Sequence, residues 1–236
     1  MSYLNTKPLV YRLGEFAPEA EILYDLPSRL ADQLANGSLD IGLIPSVEYF
    51  QNPAYTIVSD ACIACRGPVL SVKLFSRVPI GNLQTVALDE GSRTSAALIR
   101  ILLKQRFGLS PVLEPLPIGQ GAEETQTDAV LLIGDRAIPP RPAEFAEEWD
   151  LGDEWCRWAN LPFVFAMWVA RPGMDSGRMV PALERARNEG VTHVREIAAA
   201  HAASAGLTEE DCLIYLRDNL HFQLGPRERQ GLDRFC

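Results

Sequence analysis

The chain has 236 residues, 47% of them hydrophobic and 22% charged, with a formal net charge of −9. That length can bury one large core or two compact lobes, and the composition is that of a soluble globular protein. The acidic balance argues against nucleic acid and anionic membrane surfaces as partners, but it leaves room for a local positive site that holds an anionic small molecule.

Pro8 restricts Lys7 to extended conformations, so the polar Asn5-Thr6 pair is expected in a loop before the Leu9–Leu13 segment. Loops of this kind often aim ligand-binding side chains. Pro27 to Asn36 predicts a short helix, with Leu30 and Leu34 on one face and Gly37 ending it. Asp40 to Ile44 predicts an apolar strand, and Pro45 starts a helix through Tyr49. Thr56–Val58 and Val69–Phe75 have strand composition, with strand and turn expected from Ile57 to Ala64. A second unit begins near Leu83: a strand over Thr85 to Leu88, a polar turn Gly91-Ser92-Arg93-Thr94-Ser95, and a helix from Ala96 to Phe107. Ala129 to Ile133 reads as a buried strand, Ile138–Pro142 as a proline-rich surface loop, and Leu161 to Ala170 as a central strand. Helices follow over Val180–Asn188, Val191–Ala205 and, after a Thr208 N-cap, Glu209–Leu220.

The alternation of strand and helix predicts α/β architecture with a mainly parallel sheet. Two such units followed by helices fit a two-lobed fold of the type II periplasmic-binding-protein kind, with a ligand cleft between lobes. Lobe one is expected to contain residues 1–77 plus 172–236, and lobe two residues 78–171. No apolar run reaches the roughly 18 residues of a membrane span. The start lacks the basic and apolar regions of a secretory signal, so a cytoplasmic protein is expected. The five cysteines form no disulfide framework. Cys62 and Cys65 make a C-x-x-C without a second ligand pair, which predicts inert thiols and no metal site. His193, His201 and His221 are expected in surface or packing roles, and Trp155, Trp158 and Trp168 in the core.

The strongest local signal for chemistry after the opening is Gly91 to Ser95. Its hydroxyls stand beside unpaired helix N–H groups, where a carboxylate or phosphate is stabilised, and Arg93 can add a bidentate contact. The same residues also suit an empty N-cap. Ser46 either faces a cleft or caps the helix holding Glu48. Ser71, between apolar residues, projects one hydroxyl inward or is a satisfied structural serine. Asp135, at a strand end, is a site carboxylate or the turn partner of Arg136.

The opening Ser2-Tyr-Leu-Asn-Thr-Lys-Pro-Leu9 resembles that of the chorismate dehydratases of menaquinone biosynthesis, the first enzymes of the futalosine pathway. The resemblance continues through Asp40–Glu48, Arg66-Gly-Pro68 with Ser71-Val72, Asp89–Ser95, Gly134–Ala137, Asp150-Leu-Gly152 with Glu154-Trp155, Leu161–Ala166, and the ending Phe222–Phe235 with Leu224-Gly-Pro-Arg-Glu228. It implies the two-lobed binding-protein fold and the conversion of chorismate, a dicarboxylate, into 3-enolpyruvylbenzoate with loss of water. No metal or organic cofactor is implied. Asn5 matches the motif asparagine that the family uses in its site. An amide has no useful basicity, so Asn5 is expected to orient the substrate or donate to the departing hydroxyl, with the substrate's own carboxylate as base. Thr6, Ser46, Ser71, Ser92, Arg93, Thr94, Ser95 and Asp135 are the expected substrate-binding residues. The sister dihydroxynaphthoate synthase shares the fold but lacks this opening. A carboxylate-binding protein without catalysis is the other reading. Two departures stand out: family members carry an apolar first strand before the motif, which is expected to be missing from lobe one here, and Asn160 stands where glycine is common.

Overall fold

The computed structural model describes residues 3–139 and 143–236. Ser2 of the opening motif, and Pro140 and Pro142 of the proline-rich stretch, lie outside the described residues. Two sheets organise the chain. The first has the order β1 (Ile41–Pro45), β8 (Phe163–Ala170), β2 (Thr56–Cys65), β9 (His221–Gln223), and every pairing in it is antiparallel. The second has the order β5 (Val112–Leu116), β4 (Thr85–Asp89), β6 (Ala129–Ile133), β3 (Val72–Ser76), β7 (Glu147–Asp150). There β4 runs parallel to β5 and β6, whereas β3 is antiparallel to β6 and β7. The expected mainly parallel sheet is thus corrected to one antiparallel and one mixed sheet. The reason is the crossing: a strand that returns from the other lobe enters the sheet in the opposite sense.

Sheet membership also moves the expected lobe boundaries. β3 belongs to the second sheet and β8 to the first, so the chain crosses between 66 and 71 and returns between 151 and 162. Strand composition cannot report such a shift, because β3 and β8 are equally apolar in either sheet. All eight residues of β8 are buried, and its register pairs Leu43 with Trp168 and Ile63 with Ala166.

The helices in chain order are α1 (Leu13–Phe16), α2 (Pro27–Ala35), α3 (Ser46–Gln51), α4 (Arg93–Phe107), α5 (Leu151–Ala159), α6 (Met179–Thr192), α7 (Val194–His201), α8 (Glu209–Ile214) and α9 (Pro226–Phe235). Thr208 caps α8 by accepting from Asp211 N–H, as its position predicts. α8 then widens into a π-helical turn over Tyr215–Asn219. α5 ends on Asn160 at φ 54°, so the departure from glycine is met by a residue that tolerates the left-handed cap. The core of this end is aromatic. Trp155 and Phe235 each meet the Phe163 ring edge-on, with centroids 5.1 and 5.0 Å away.

Two further expectations change locally. Leu4–Val10 is a 3-10 helix containing Pro8 rather than an extended loop. Proline's fixed φ suits that geometry, and the turn is held by Thr6 N–H donating to Tyr3 O at 3.1 Å. β2 runs unbroken to Cys65 instead of turning after Ile57, absorbing its irregularity as register shifts against β8. Cys62 and Cys65 are consequently enclosed in a strand, and burial pushes both thiols above their ordinary range. All five cysteines are free.

Candidate active site

A cavity of about 120 Å³ lies between the two sheets. The first sheet supplies Leu43, Phe165 and Trp168; the second supplies Ser71, Ile133 and Gly134 at its strand ends. The 3-10 helix Leu4–Val10 adds Asn5 and Thr6, and the start of α4 adds Ser92, Thr94 and Ser95. The segment Ile22–Asp25 runs along it too, leaving Leu23 and Tyr24 half exposed. The lining is mostly apolar, so its few polar groups act in a medium that strengthens their fields.

Each polar group is aimed by a specific local device. Leu70 adopts φ 60°, rare for a branched residue, and thereby turns the chain before Ser71. Asp150 holds this conformation: its carboxylate accepts from Val69 N–H at 3.0 Å and Leu70 N–H at 2.7 Å, while also capping α5 through Asp153 N–H. Asp89 does the same for the α4 turn. It accepts from Gly91 N–H at 2.9 Å and Ile133 N–H at 3.3 Å and is paired with Arg136. At the α4 start, Ser92 accepts from Ser95 N–H at 3.3 Å and donates to the Ser95 hydroxyl at 2.6 Å. Thr94 reaches the first lobe, where its Oγ1 accepts from Val47 N–H at 3.3 Å and lies 3.4 Å from the Ser46 hydroxyl.

Six of the nine expected site residues therefore share the cavity: Asn5, Thr6, Ser71, Ser92, Thr94 and Ser95. Three do not line it. Ser46 is fully buried and donates to Val164 O at 2.7 Å, so it neither faces the cavity nor caps α3. Arg93 makes its two-oxygen contact with Asp32, at 2.8 and 3.0 Å, and pairs with Glu48 at 3.4 Å. These two carboxylates neutralise the cation that the sequence offered to a ligand. Asp135 accepts from Leu4 N–H at 3.1 Å instead of pairing with Arg136, and burial raises its pKa despite that contact. Its carboxylate thus tethers the residue next to Asn5. Trp168 differs from expectation in another way, because it packs in the core and also lines the cavity, where its indole N–H has no partner. Asn5 Oδ1 and Ser71 Oγ are likewise buried without a partner. Such atoms are rare in folded proteins and call for an explanation. Among the described residues no group of three or more His, Cys, Asp or Glu is placed to hold a metal ion, and no helix is long and apolar enough to cross a membrane.

A family model described as menaquinone biosynthesis matches residues 1–236. The chain belongs to the menaquinone biosynthesis family. A curated relative from Thermus thermophilus, named chorismate dehydratase, is 34% identical over 257 residues, covering 99% of this chain and 91% of that protein. The resemblance carried by the opening motif and the later blocks is therefore borne out. Among solved structures, a protein of Archaeoglobus fulgidus superposes with a TM-score of 0.74 at 15% identity, over 99% of this chain and 92% of that one. A Candida albicans gene product described as having the generic periplasmic binding protein fold gives 0.59 at 12% identity, over 99% and 87%. At such identities the likeness concerns the fold, and it agrees with a two-lobed α/β molecule of the menaquinone family.

Proposed function

We propose that this chain is a chorismate dehydratase that binds the dicarboxylate chorismate in the cavity between the sheets and eliminates water to give 3-enolpyruvylbenzoate. The observation that carries the reading is Asn5, its buried Oδ1 unpaired, in one cavity with Ser71 and the hydroxyls that start α4. Family membership and the Thermus relative support the same reaction class.

The chemistry follows from the substrate. The hydrogen on the ether-bearing ring carbon is vinylogously activated by the ring carboxylate. Its removal moves the C–H electrons into the ring and negative charge onto that carboxylate. The neighbouring hydroxyl then leaves with a proton as water, and the ring becomes aromatic. The substrate's own conjugation supplies the acidity, so the reaction as written asks for no metal or organic cofactor. Groups that stabilise the growing carboxylate charge lower the barrier. The N-terminus of α4, fifteen residues long, carries roughly half a positive charge beside Ser92, Thr94 and Ser95 and suits that task. Asn5 has no basicity to offer. We assign it the orientation of the enolpyruvyl carboxylate, itself the base, or donation to the departing hydroxyl, with Thr6 and Ser71 beside it. Ser46, Arg93 and Asp135 then support this arrangement from outside the cavity. The five free cysteines suit a reducing compartment, and we place the reaction in the cytoplasm.

The test is incubation of the purified chain with chorismate, followed by absorbance for an aromatic product and mass for the loss of one water. Asn5→Ala should lower turnover by about a hundredfold or more with folding retained, the scale seen when one group acting on the transition state is removed. Chorismate left intact by a chain with a native circular-dichroism spectrum overturns the reading.

A further inference from the structure

β8 carries one residue more than β2 along part of their pairing. Ile63 faces Ala166 and the next residue, Ala64, faces Val164, so Phe165 is left between them without a partner of its own. Bulges of this kind re-aim side chains and recur beside active sites. This one changes the phase of the strand. Before it, Phe163 and Phe165 join the core that spans both sheets; after it, Ala166, Trp168 and Ala170 do, while Met167 and Val169 turn to the opposite core. Unbroken alternation from Phe165 would send Trp168 to that opposite face. The bulge therefore brings Trp168 onto the cavity wall with Phe165 and Ala166, and Leu43 of β1 faces it.

Trp168 arrives there with a donor and no acceptor. The residue is 9% exposed, and its indole Nε1–H is enclosed without a hydrogen-bond partner. Trp155 shows the ordinary arrangement, its Nε1 donating to Pro162 O at 3.1 Å. An indole nitrogen only donates, and phenylalanine would line this wall without an orphaned group. A buried donor kept on a ligand cavity calls for an acceptor that the protein does not supply. The start of α4 marks the other end of the wall. Thr94 Oγ1 accepts from Val47 N–H beside Pro45, and Pro45 faces Ala166. Trp168 stands two residues farther along β8, roughly 7 Å at strand spacing. One carboxylate cannot meet both places, but a dicarboxylate can. We propose that Trp168 binds the substrate, its indole N–H donating to one oxygen of the enolpyruvyl carboxylate while the ring carboxylate sits at the α4 terminus. A small displacement of the ring on binding brings the enclosed N–H to that oxygen. The second oxygen then takes the ring hydrogen as a proton, the C–H electrons enter the ring, and the hydroxyl leaves with that proton as water. Asn5 is thereby left to the departing hydroxyl. The inference rests on the dehydratase reading and names the group that holds its base.

Binding separates the two carboxylates without turnover. 3-(Carboxymethoxy)benzoate carries both and has no hydroxyl to eliminate, whereas benzoate carries the ring carboxylate alone. By titration calorimetry Trp168→Phe should weaken the dicarboxylate about tenfold and benzoate by less than about twofold, since one hydrogen bond to a charged group is removed. In the same variant kcat/KM for chorismate should fall about tenfold or more, with the far-ultraviolet circular dichroism retained. Equal losses for both probes would mean that the indole only fills space, and they overturn the inference, as does an unchanged kcat/KM. Should Trp168→Phe fail to fold, the wild type carries the test. The Trp168 indole proton resonance should move downfield with 3-(carboxymethoxy)benzoate and stay in place with benzoate. A resonance that moves with neither, or with both, overturns the assignment. A folded wild type that binds the dicarboxylate through Trp168 yet leaves chorismate intact overturns the dehydratase reading alone; an active wild type whose dicarboxylate affinity ignores Trp168→Phe overturns this inference alone.

Discussion

Gly134 marks how tightly the site is drawn around the opening turn. It has φ 71°, and a Cβ there would lie 2.5 Å from the Tyr3 ring, so both the backbone and the space require glycine. Tyr3 in turn stands among charges. Burial and the Asp89 carboxylate push its phenol up to about 12 from an ordinary value of 10.0. The sign of the linkage is fixed by that direction. Below the ordinary phenol pKa both folded and unfolded chains are protonated and the contribution is complete; between it and about 12 the unfolded chain releases the proton while the folded chain retains it. Stability therefore falls as pH rises through this window. Tyr3→Phe should flatten that alkaline limb by about 1–2 kcal/mol, allowing for partial exposure. Thermal midpoints of both proteins across the alkaline range check it, and parallel curves would refute the assignment of this drop to Tyr3.

At the scale of elements, the placement of Asn5 depends on a helix far away in sequence. The 3-10 helix Leu4–Val10 lies against α6, and Gly190 of α6 is where the two backbones meet. A Cβ at Gly190 would come within 2.0 Å of Pro8 O. Neither backbone can yield cheaply, since Pro8 is inside one helix and Gly190 inside the other. Gly190→Ala should therefore cost about 1–3 kcal/mol of stability and also reduce turnover, because the turn carrying Asn5 must move. Urea unfolding and the chorismate assay together check this; loss of stability with full turnover would mean the turn is not the carrier. Gly231 plays the matching part for α9, whose approach to Pro162 O is equally close.

Across the whole molecule, the cavity exists only because the chain crosses between sheets twice. One wall is the first sheet, centred on β8, and the other is the row of strand ends from β3, β4 and β6. Thr94 of the second unit touches Ser46 and Val47 of the first, and Arg93 reaches Asp32 and Glu48, so the start of α4 joins the lobes as well as lining the cavity. Replacing Ser92 and Thr94 together with alanine should raise KM for chorismate by about tenfold and lower kcat, with a cap loss of about 1 kcal/mol in stability. Steady-state kinetics check it, and turnover and KM both unchanged would remove the α4 terminus from the mechanism.

The sequence by itself determined the family, the α/β class and the residues at the strand-to-helix turns, because motifs and hydrophobic periods are local properties. Ser92 as a helix cap and β6 as a buried strand were legible for that reason. Tertiary structure alone decided the direction of β8, the sheet that owns β3, and which polar residues reach the cavity. Arg93 was claimed by Asp32, which precedes it by 61 residues, and Asp135 by Leu4, 131 residues away. No local pattern encodes such partners, since a charge pairs with whichever long-range neighbour the fold brings within reach.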